Sequence, residues 1–194
     1  MQKPDIAKRD EILQAAAKLF ASRPFHEVKL DDVATDAKVG KGTLYTYFQS
    51  KEALFCAIVD EAFARLVAEL RTSLEDGRVS AWDGLRIIVA KLVRFGKTFP
   101  DKFRLMRSGV DLSSARNLEA RQQLLAVIAS VLEEGVKRGE LSDPHPELSA
   151  GYVLSSVRGA LLYGPCGYPE EVVVEHILHV LGRGLLPGRA EGSP

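Results

Sequence analysis

The sequence contains few cysteines and no long apolar run, and both absences narrow the class of protein. Its two cysteines, Cys56 and Cys166, lie far apart and fit no metal-binding or redox spacing, so we expect reduced thiols packed as small apolar groups. No stretch approaches the roughly 18 consecutive apolar residues of a membrane span. The first residues also lack the apolar stretch of a secretion signal. We therefore expect a cytoplasmic protein with no membrane association.

The chain also lacks a net charge, because 26 Lys and Arg balance 26 Asp and Glu. The charge is nevertheless unevenly distributed. Residues 1–51 hold nine Lys or Arg against seven Asp or Glu, and the stretch from Lys38 to Lys51 contains three lysines and no acid. A basic surface confined to one place suits a partner that is met only there. The alternative is an ordinary solvated surface, which short charge runs usually form.

Apolar residues recur at helical spacing along most of the chain, and no segment alternates in the manner of a strand. The sequence therefore predicts an all-α fold. Proline and glycine clusters mark the breaks between helices. The predicted helices cover about 6–22, 30–37, 41–48, 51–75, 81–98, 118–138, 146–163 and 169–185, with Ser50 as the N-cap of the fourth and a short helix after Pro100.

Two short helices joined by a tight turn, between a helix before them and a long helix after them, form the most informative pattern. In a helix-turn-helix the second short helix lies in the major groove and the first holds it there. Here Leu44 and Phe48 supply the apolar back of the second helix. Lysine can reach phosphate or guanine, threonine and tyrosine hydroxyls can bind phosphate, and glycine lets the backbone approach closely. The candidate DNA-facing residues are Lys41, Gly42, Thr43, Tyr45, Thr46 and Tyr47.

Several separate positions between about residues 8 and 60 agree in type and spacing with one known family. They are Arg9 to Phe20 in the first helix, Asp32-Val33-Ala34, Val39, Lys41 to Phe48, and Ser50-Lys51-Glu52-Ala53-Leu54-Phe55. This stretch resembles the DNA-binding domain of TetR-family transcriptional regulators. The resemblance implies that the candidate residues above face DNA. It also implies that Lys51, at the start of the long helix, contacts phosphate.

Four positions depart from the family pattern. Lys38 stands where glycine is usual, and a left-handed conformation there would cost on the order of 1 kcal/mol. Gly40 replaces serine or threonine and is a poorer N-cap. Lys29 also replaces serine or threonine, so that a phosphate contact there would come from an ammonium group. Tyr47 replaces a histidine. These departures bear on the operator sequence rather than on the mode of binding.

The rest of the chain matches the family only in layout. We expect a helix-turn-helix domain at 1–50, a helical dimerisation and effector-binding domain at 51–186 and a flexible tail at 187–194. Small residues recur every fourth position in the helix over 146–163, and apolar residues line the last helix. Two such helices from each subunit would form a four-helix interface, although packing within one subunit is the alternative. The candidate interface residues are Gly151, Ser155, Gly159, Val173, Ile177, Val180 and Leu181.

Aromatic and methionine residues in the C-terminal part are candidates for an effector pocket, with plain core packing as the alternative. They are Trp82, Phe95, Phe99, Phe103, Met106 and Tyr152. Arg158 lies in a very apolar helix and needs a partner, which could be a ligand anion or a carboxylate such as Glu171 or Glu175.

Other chemistries find less support in the sequence. Gly40-Lys41-Gly42-Thr43 is not a phosphate-binding loop, because Thr35 stands where that motif needs glycine. His176 and His179 could mark a metal site, but packed or solvated histidines are the more common case. No catalytic set or cofactor site is recognisable.

The resemblance implies a homodimeric repressor that binds a palindromic double-stranded DNA operator and is released by a small organic effector. The alternatives are a ligand-free regulator or an activator, and a helical binding protein or enzyme that does not bind DNA.

Overall fold

The computed structural model describes residues 5–74, 79–102, 115–164 and 167–185. Within these ranges the secondary structure is helical and contains no strand, which confirms the predicted all-α class. A 3-10 turn, Phe25–Glu27, separates the first two helices. The α-helices are α1 (Ile6–Ser22), α2 (Leu30–Asp36), α3 (Lys41–Tyr47), α4 (Lys51–Leu74), α5 (Ala81–Thr98), α6 (Ala115–Lys137), α7 (Pro146–Tyr163) and α8 (Glu170–Leu185).

Local capping explains where several of these helices begin. Asp5 caps α1, since its carboxylate accepts the Ala7 N–H at 3.0 Å. Ser50 caps α4 as predicted, because its hydroxyl accepts the Ala53 N–H at 3.1 Å. The predicted end of α1 at Arg23, before Pro24, is also confirmed. Residues 100–102 are helical, and the remainder of the helix predicted after Pro100 lies outside the described residues.

The described residues pack into two hydrophobic clusters that share α4. The first cluster joins α1, α2 and α3 to Leu54 and Ile58, which lie in the first turns of α4. The second begins at Phe63 on the same helix and continues through α5 to α8. One continuous helix therefore carries buried residues of both clusters, and it connects them without a linker.

Close helix packing defines the centre of the C-terminal part. Gly96 of α5 lies against Leu161 of α7, where a Cβ atom on Gly96 would stand 2.3 Å from Leu161 Cδ1. A larger side chain would push the two helices apart.

Among the described residues, no helix combines the length and the apolar character needed to cross a lipid bilayer.

Candidate nucleic-acid interface and effector cavity

The turn between α2 and α3 contains a residue in the left-handed conformation, at the position where lysine replaces the glycine usual in the family. Lys38 has φ 54°. Its N–H donates to Thr35 O at 3.1 Å, and the Val39 N–H donates to Ala34 O at 2.9 Å. These two bonds form a Schellman motif, in which the left-handed position normally belongs to glycine. The fold thus keeps the turn geometry and accepts the conformational cost of a lysine there.

Helix α3 has the buried back and exposed front that a recognition helix requires. Gly40 is its N-cap and provides no side-chain hydrogen bond. Leu44 is fully buried and Phe48 is 5% exposed, so both anchor the helix in the first cluster. On the opposite side Gly42 is exposed, and a Cβ atom at this position would meet no atom within 4 Å. The absence of a side chain at position 42 is therefore not required by packing within the described part of the chain.

The candidate side chains of α3 divide into those that face solvent and those that also bind the protein. Lys41, Tyr45 and Thr46 are exposed, while Thr43 is half-buried. The Thr46 hydroxyl donates to Gly42 O at 2.9 Å, within the helix. Tyr47 is half-buried, and its hydroxyl accepts the Asp5 N–H at 2.9 Å. Tyr47 therefore ties α3 to the start of α1 in addition to lying at the edge of the predicted DNA-facing surface.

An ion pair joins the two short helices at their first turns. The Lys41 ammonium lies 2.8 Å from the Asp31 carboxylate, and both side chains are exposed. The hydrogen bond to Asp31 raises the pKa of Lys41 above its usual value. Lys41 is therefore charged and held near the start of α3. Because its partner Asp31 is exposed to water, a phosphate can replace Asp31 at little cost.

Lys51 is occupied by the protein itself, which the sequence did not indicate. Its ammonium donates to Phe25 O at 2.9 Å, to Val28 O at 3.1 Å and to His26 O at 3.4 Å. It also lies 4.5 Å from the centre of the Phe25 ring. An ammonium has three N–H donors. A phosphate contact by Lys51 stays a prediction, and it requires one of these bonds to break.

Lys29 lies at the other end of the segment that Lys51 holds. It is the N-cap residue of α2, it is exposed, and its side chain makes no capping hydrogen bond. The N-terminal end of α2 therefore carries Lys29 as its cap position, followed by Asp31 and Asp32 in the first turn. Lys29 is available for the phosphate contact that the sequence predicts.

The predicted interface residues on α7 and α8 do not share one environment. Gly151 and Gly159 are half-buried, and a Cβ atom at either would meet nothing within 4 Å, so that this side of α7 is open in the single chain. Ser155 is exposed. Val180 of α8 is 56% exposed. This surface, which we call the α7–α8 face, also exposes the large apolar residues Leu148, Tyr152, Tyr163, Tyr168 and Val172.

The assignment of Ile177 to the interface is corrected by its burial. Ile177 is 5% exposed and belongs to the hydrophobic cluster of α4 to α8. Val173 and Leu181 are half-buried and pack against the same cluster. The period of α8 places position 177 on the side facing α5, whereas Val180 lies on the outer side. The sequence pattern identified an apolar helix but not which of its two apolar sides is internal.

A cavity of about 160 Å³ lies between α4, α5, α6 and α7. Of the predicted effector residues, Phe95 and Arg158 line it. The full lining comprises Phe63, Leu92, Phe95, Lys102, Asn117, Arg121, Leu154, Ser155, Val157, Arg158 and Leu161.

Three other predicted pocket residues lie elsewhere. Trp82 lies in the first turn of α5, 13 positions before Phe95. This separation corresponds to about 20 Å along a helix. Trp82 therefore packs against another part of the core. Tyr152 is 64% exposed on the α7–α8 face. Phe99 packs on Phe95, with ring centroids 4.9 Å apart, but does not line the cavity. Phe103 and Met106 lie outside the described residues.

Apart from Arg158, the polar groups around the cavity were not predicted from the sequence. Lys102 lies over the rings of Phe63 and Phe95, at 5.3 and 5.9 Å from their centres. Burial lowers the pKa of Lys102, and the nearby Asp60 carboxylate opposes that shift. Asp60 is itself buried and accepts the Asn117 side-chain N–H at 2.8 Å. No spacing in the sequence indicated this group, because its members come from α4, α6 and the residues after α5.

The expected carboxylate partners of Arg158 are placed elsewhere. Glu175 pairs with Arg86 of α5, and Glu171 is exposed on α8 without an ion pair to Arg158. Arg158 is exposed at the cavity. The predicted ion pair between Arg158 and Glu175 is therefore wrong, because Glu175 on α8 pairs with α5 and not with α7.

The two remaining features give no further site among the described residues. Burial raises the pKa of the Cys56 thiol to about 11, which leaves little thiolate at neutral pH. His176 and His179 are both exposed on α8. Within the ranges that the structure describes, no three His, Cys, Asp or Glu side chains gather as metal ligands.

Comparison with known proteins agrees with this geometry. The family model described as "Bacterial regulatory proteins, tetR family" matches residues 12–58, which span α1 to the first turns of α4. The chain is 28% identical over 165 residues to the uncharacterized HTH-type transcriptional regulator YhgD of Bacillus subtilis, covering 81% of this chain and 84% of that protein. It is 26% identical over 188 residues to the HTH-type transcriptional repressor DhaR of a Mycobacterium species, covering 92% of each.

A solved structure extends the agreement to both clusters. A transcriptional regulator of the TetR/AcrR family from Thermobifida fusca superimposes with a TM-score of 0.68 at 26% identity, over 90% of this chain and 96% of that one. The fold and the helix-turn-helix define a DNA-binding transcriptional regulator. Residues 12–58 match the DNA-binding part of the tetR family of bacterial regulatory proteins.

Proposed function

We propose that this TetR-family regulator is a homodimeric repressor, which binds a palindromic operator through α3 and leaves it when a small organic effector occupies the cavity. The observation that carries the proposal is the outer side of α3, which combines exposed Lys41, Tyr45 and Thr46 with a glycine that packing does not require. In this proposal the DNA-binding unit extends beyond residue 50, because Leu54 and Ile58 belong to its hydrophobic cluster.

Base reading and phosphate contact are assigned to different residues. Thr43 and Tyr45 lie on the exposed side of α3 and would meet base edges or thymine methyl groups in the major groove. Lys29 and Lys41 lie at the starts of α2 and α3, beside the positive ends of short helices, and would meet phosphates. Phosphate contacts position the protein without reading sequence, so the two groups should respond differently to substitution.

The test is a comparison of Thr43→Ala and Tyr45→Ala with Lys29→Ala, each titrated on operator and on random DNA over a salt series. The first two should change sequence preference, at about 1–3 kcal/mol for each base contact. Lys29→Ala should weaken binding to both DNAs equally and reduce the salt slope by about one unit. Unchanged operator preference in both α3 variants would place base recognition elsewhere and refute this orientation of α3.

Lys51→Ala is expected to act mainly on stability. It removes three hydrogen bonds to the 25–28 segment and the contact with the Phe25 ring. A loss of about 2 kcal/mol in the free energy of unfolding is expected, measured by urea denaturation. Lys29→Ala is the matched control, since the Lys29 side chain is exposed and caps nothing. A Lys51→Ala protein of unchanged stability whose salt slope falls by one unit would show that Lys51 serves phosphate instead.

The dimer is assigned to the α7–α8 face. Six large apolar side chains are exposed on α7, α8 and the segment between them, and three of these are tyrosines. A stripe of Gly151, Ser155 and Gly159 beside them leaves room for another helix to approach. Two copies of this face would form a four-helix contact with two-fold symmetry. Such symmetry matches two half-sites separated by about one turn of DNA, roughly 34–36 Å.

The effector role rests on contacts between the cavity and the DNA-binding unit. Asp101, next to the cavity residue Lys102, accepts the Phe25 N–H at 3.3 Å. The carbonyl of the same Phe25 binds Lys51 at the head of α4. In addition, Glu61 of α4 binds Arg9 of α1 at 3.0 Å and Arg116 of α6 at 3.2 Å. An effector that shifted α6 or the residues after α5 would therefore act on the attachment of α1 and of the 25–28 segment. DNA affinity would fall by as much as the effector prefers the shifted state.

A further inference from the structure

The cavity has one apolar and one cationic part. Phe63, Leu92 and Phe95 of α4 and α5 form an aromatic and aliphatic wall. Lys102, Arg121 and Arg158 bring three cationic side chains to the same space. These groups come from three separate parts of the chain, and only the fold brings them together.

The charges around the cavity are not balanced by the carboxylates placed near it. Asp60 acts on Lys102 and is hydrogen-bonded by Asn117. In the part of the chain that the structure describes, neither Arg121 nor Arg158 has a carboxylate within 4.0 Å. Glu175, one of the two glutamates of α8 predicted to pair with Arg158, pairs with Arg86 of α5 instead. Arg121 and Arg158 are exposed to water at the cavity, so a carboxylate that enters can form charge-assisted hydrogen bonds with them without displacing a protein carboxylate.

We infer that the cavity selects an organic anion, a carboxylic acid whose carboxylate lies between Lys102 and Arg158 and whose compact apolar body lies against Phe63 and Phe95. The assignment rests on the proposed effector role of the same cavity and names the class of effector. The volume of about 160 Å³ favours a body close to one aromatic ring in size, since a cavity of about 150 Å³ holds benzene. Lys102 lies where the two parts of the cavity meet, because its ammonium is 5.3 Å from the centre of the Phe63 ring and 5.9 Å from that of Phe95.

The test uses phenylacetate, its uncharged isostere phenylacetamide, and acetate, which lacks the apolar body. Binding of each to the full chain is measured by isothermal titration calorimetry at low salt. Phenylacetate should bind at least tenfold more tightly than phenylacetamide, and acetate should bind at least tenfold more weakly than phenylacetate. Equal affinity for phenylacetate and phenylacetamide would overturn the assignment to anions. Affinity of acetate equal to that of phenylacetate would show a surface charge effect without a role for the apolar wall.

Two variants locate the site. Lys102→Met keeps the apolar stem and should reduce phenylacetate affinity at least tenfold, and Arg158→Gln, at an exposed position, should reduce it severalfold without unfolding the chain. Lys18→Met, an exposed lysine of α1, is the matched control and should leave binding unchanged. Unchanged binding in both Lys102→Met and Arg158→Gln would overturn the inference. Binding that depends on Lys102 but leaves operator affinity unaltered would uphold the anion site and refute the effector role, so the two proposals fail separately.

Discussion

Val180→Glu is expected to convert the proposed dimer into a folded monomer, whereas Ile177→Glu is expected to unfold the chain. The two residues lie three positions apart on α8. Val180 is 56% exposed, so a glutamate there costs a single chain less than about 1 kcal/mol but places two charges in an apolar contact. Ile177 is 5% exposed, and a glutamate there loses at least about 3 kcal/mol of folding free energy. Sedimentation velocity and circular dichroism on the same samples separate dissociation from unfolding.

Leu118→Glu is the control for exposed apolar residues in general. Leu118 is 57% exposed but lies on α6, a helix that contributes no residue to the α7–α8 face. This variant should remain dimeric and should bind operator as the wild type does. A wild-type protein that sediments as a monomer at micromolar concentration would rule out the dimer. Dissociation by Leu118→Glu with no effect of Val180→Glu would move the contact to α6.

Gly42→Ala is expected to weaken operator binding while leaving the free protein as stable as before or slightly more stable. A Cβ atom at this position meets nothing within 4 Å, and alanine is a better helix former than glycine by up to about 1 kcal/mol. In the complex, the same methyl group would stand where the backbone of α3 approaches DNA. We expect at least about a tenfold loss of operator affinity, or roughly 1.4 kcal/mol, and a larger loss for Gly42→Val.

The stability and the operator affinity of Gly42→Ala are measured on the same sample, so the two changes can be compared directly. Thermal unfolding gives the stability, and fluorescence anisotropy with labelled operator gives the affinity. Opposite signs for the two changes mean that glycine is kept for the partner and not for the fold. Equal operator affinity in wild type, Gly42→Ala and Gly42→Val would contradict close approach of α3 to DNA.

The order and type of the helices could be predicted because each depends on local signals. The apolar period located α1 to α5, α7 and α8 within one or two residues at most ends, and Ser50 acts as the predicted cap. The helix-turn-helix was recognisable for the same reason, since its turn, its apolar back and the following helix lie within one short stretch. The conformation of Lys38 stayed open at the level of sequence, because a lysine stands where the family has glycine, and the structure gives it a φ of 54°.

The contacts that involve distant parts of the chain could not be read from these local signals. Lys51 is held by carbonyls of residues 25, 26 and 28, and backbone carbonyls carry no sequence signature. An apolar period identifies the buried side of a helix only when one side is apolar. Helix α8 has two such sides, so Ile177 and Val180 looked equivalent until their burial separated them. The cationic part of the cavity is assembled from helices that are far apart in sequence.

Because α4 is one continuous helix, a tilt near its middle displaces its N-terminal end. From Phe63, where the C-terminal cluster begins, to Lys51 at its head, the helix measures about 18 Å at 1.5 Å per residue. Since no linker interrupts α4, a tilt of about 10° around Phe63 would move its head by about 3 Å, and the N-terminal cluster would travel with it. In a two-fold dimer the displacements add, so the distance between the two α3 helices would change by up to about 6 Å against the 34–36 Å that successive grooves demand. A tilt of α4 caused by a ligand in the cavity would therefore change the α3 spacing by an amount that DNA could match only by deforming.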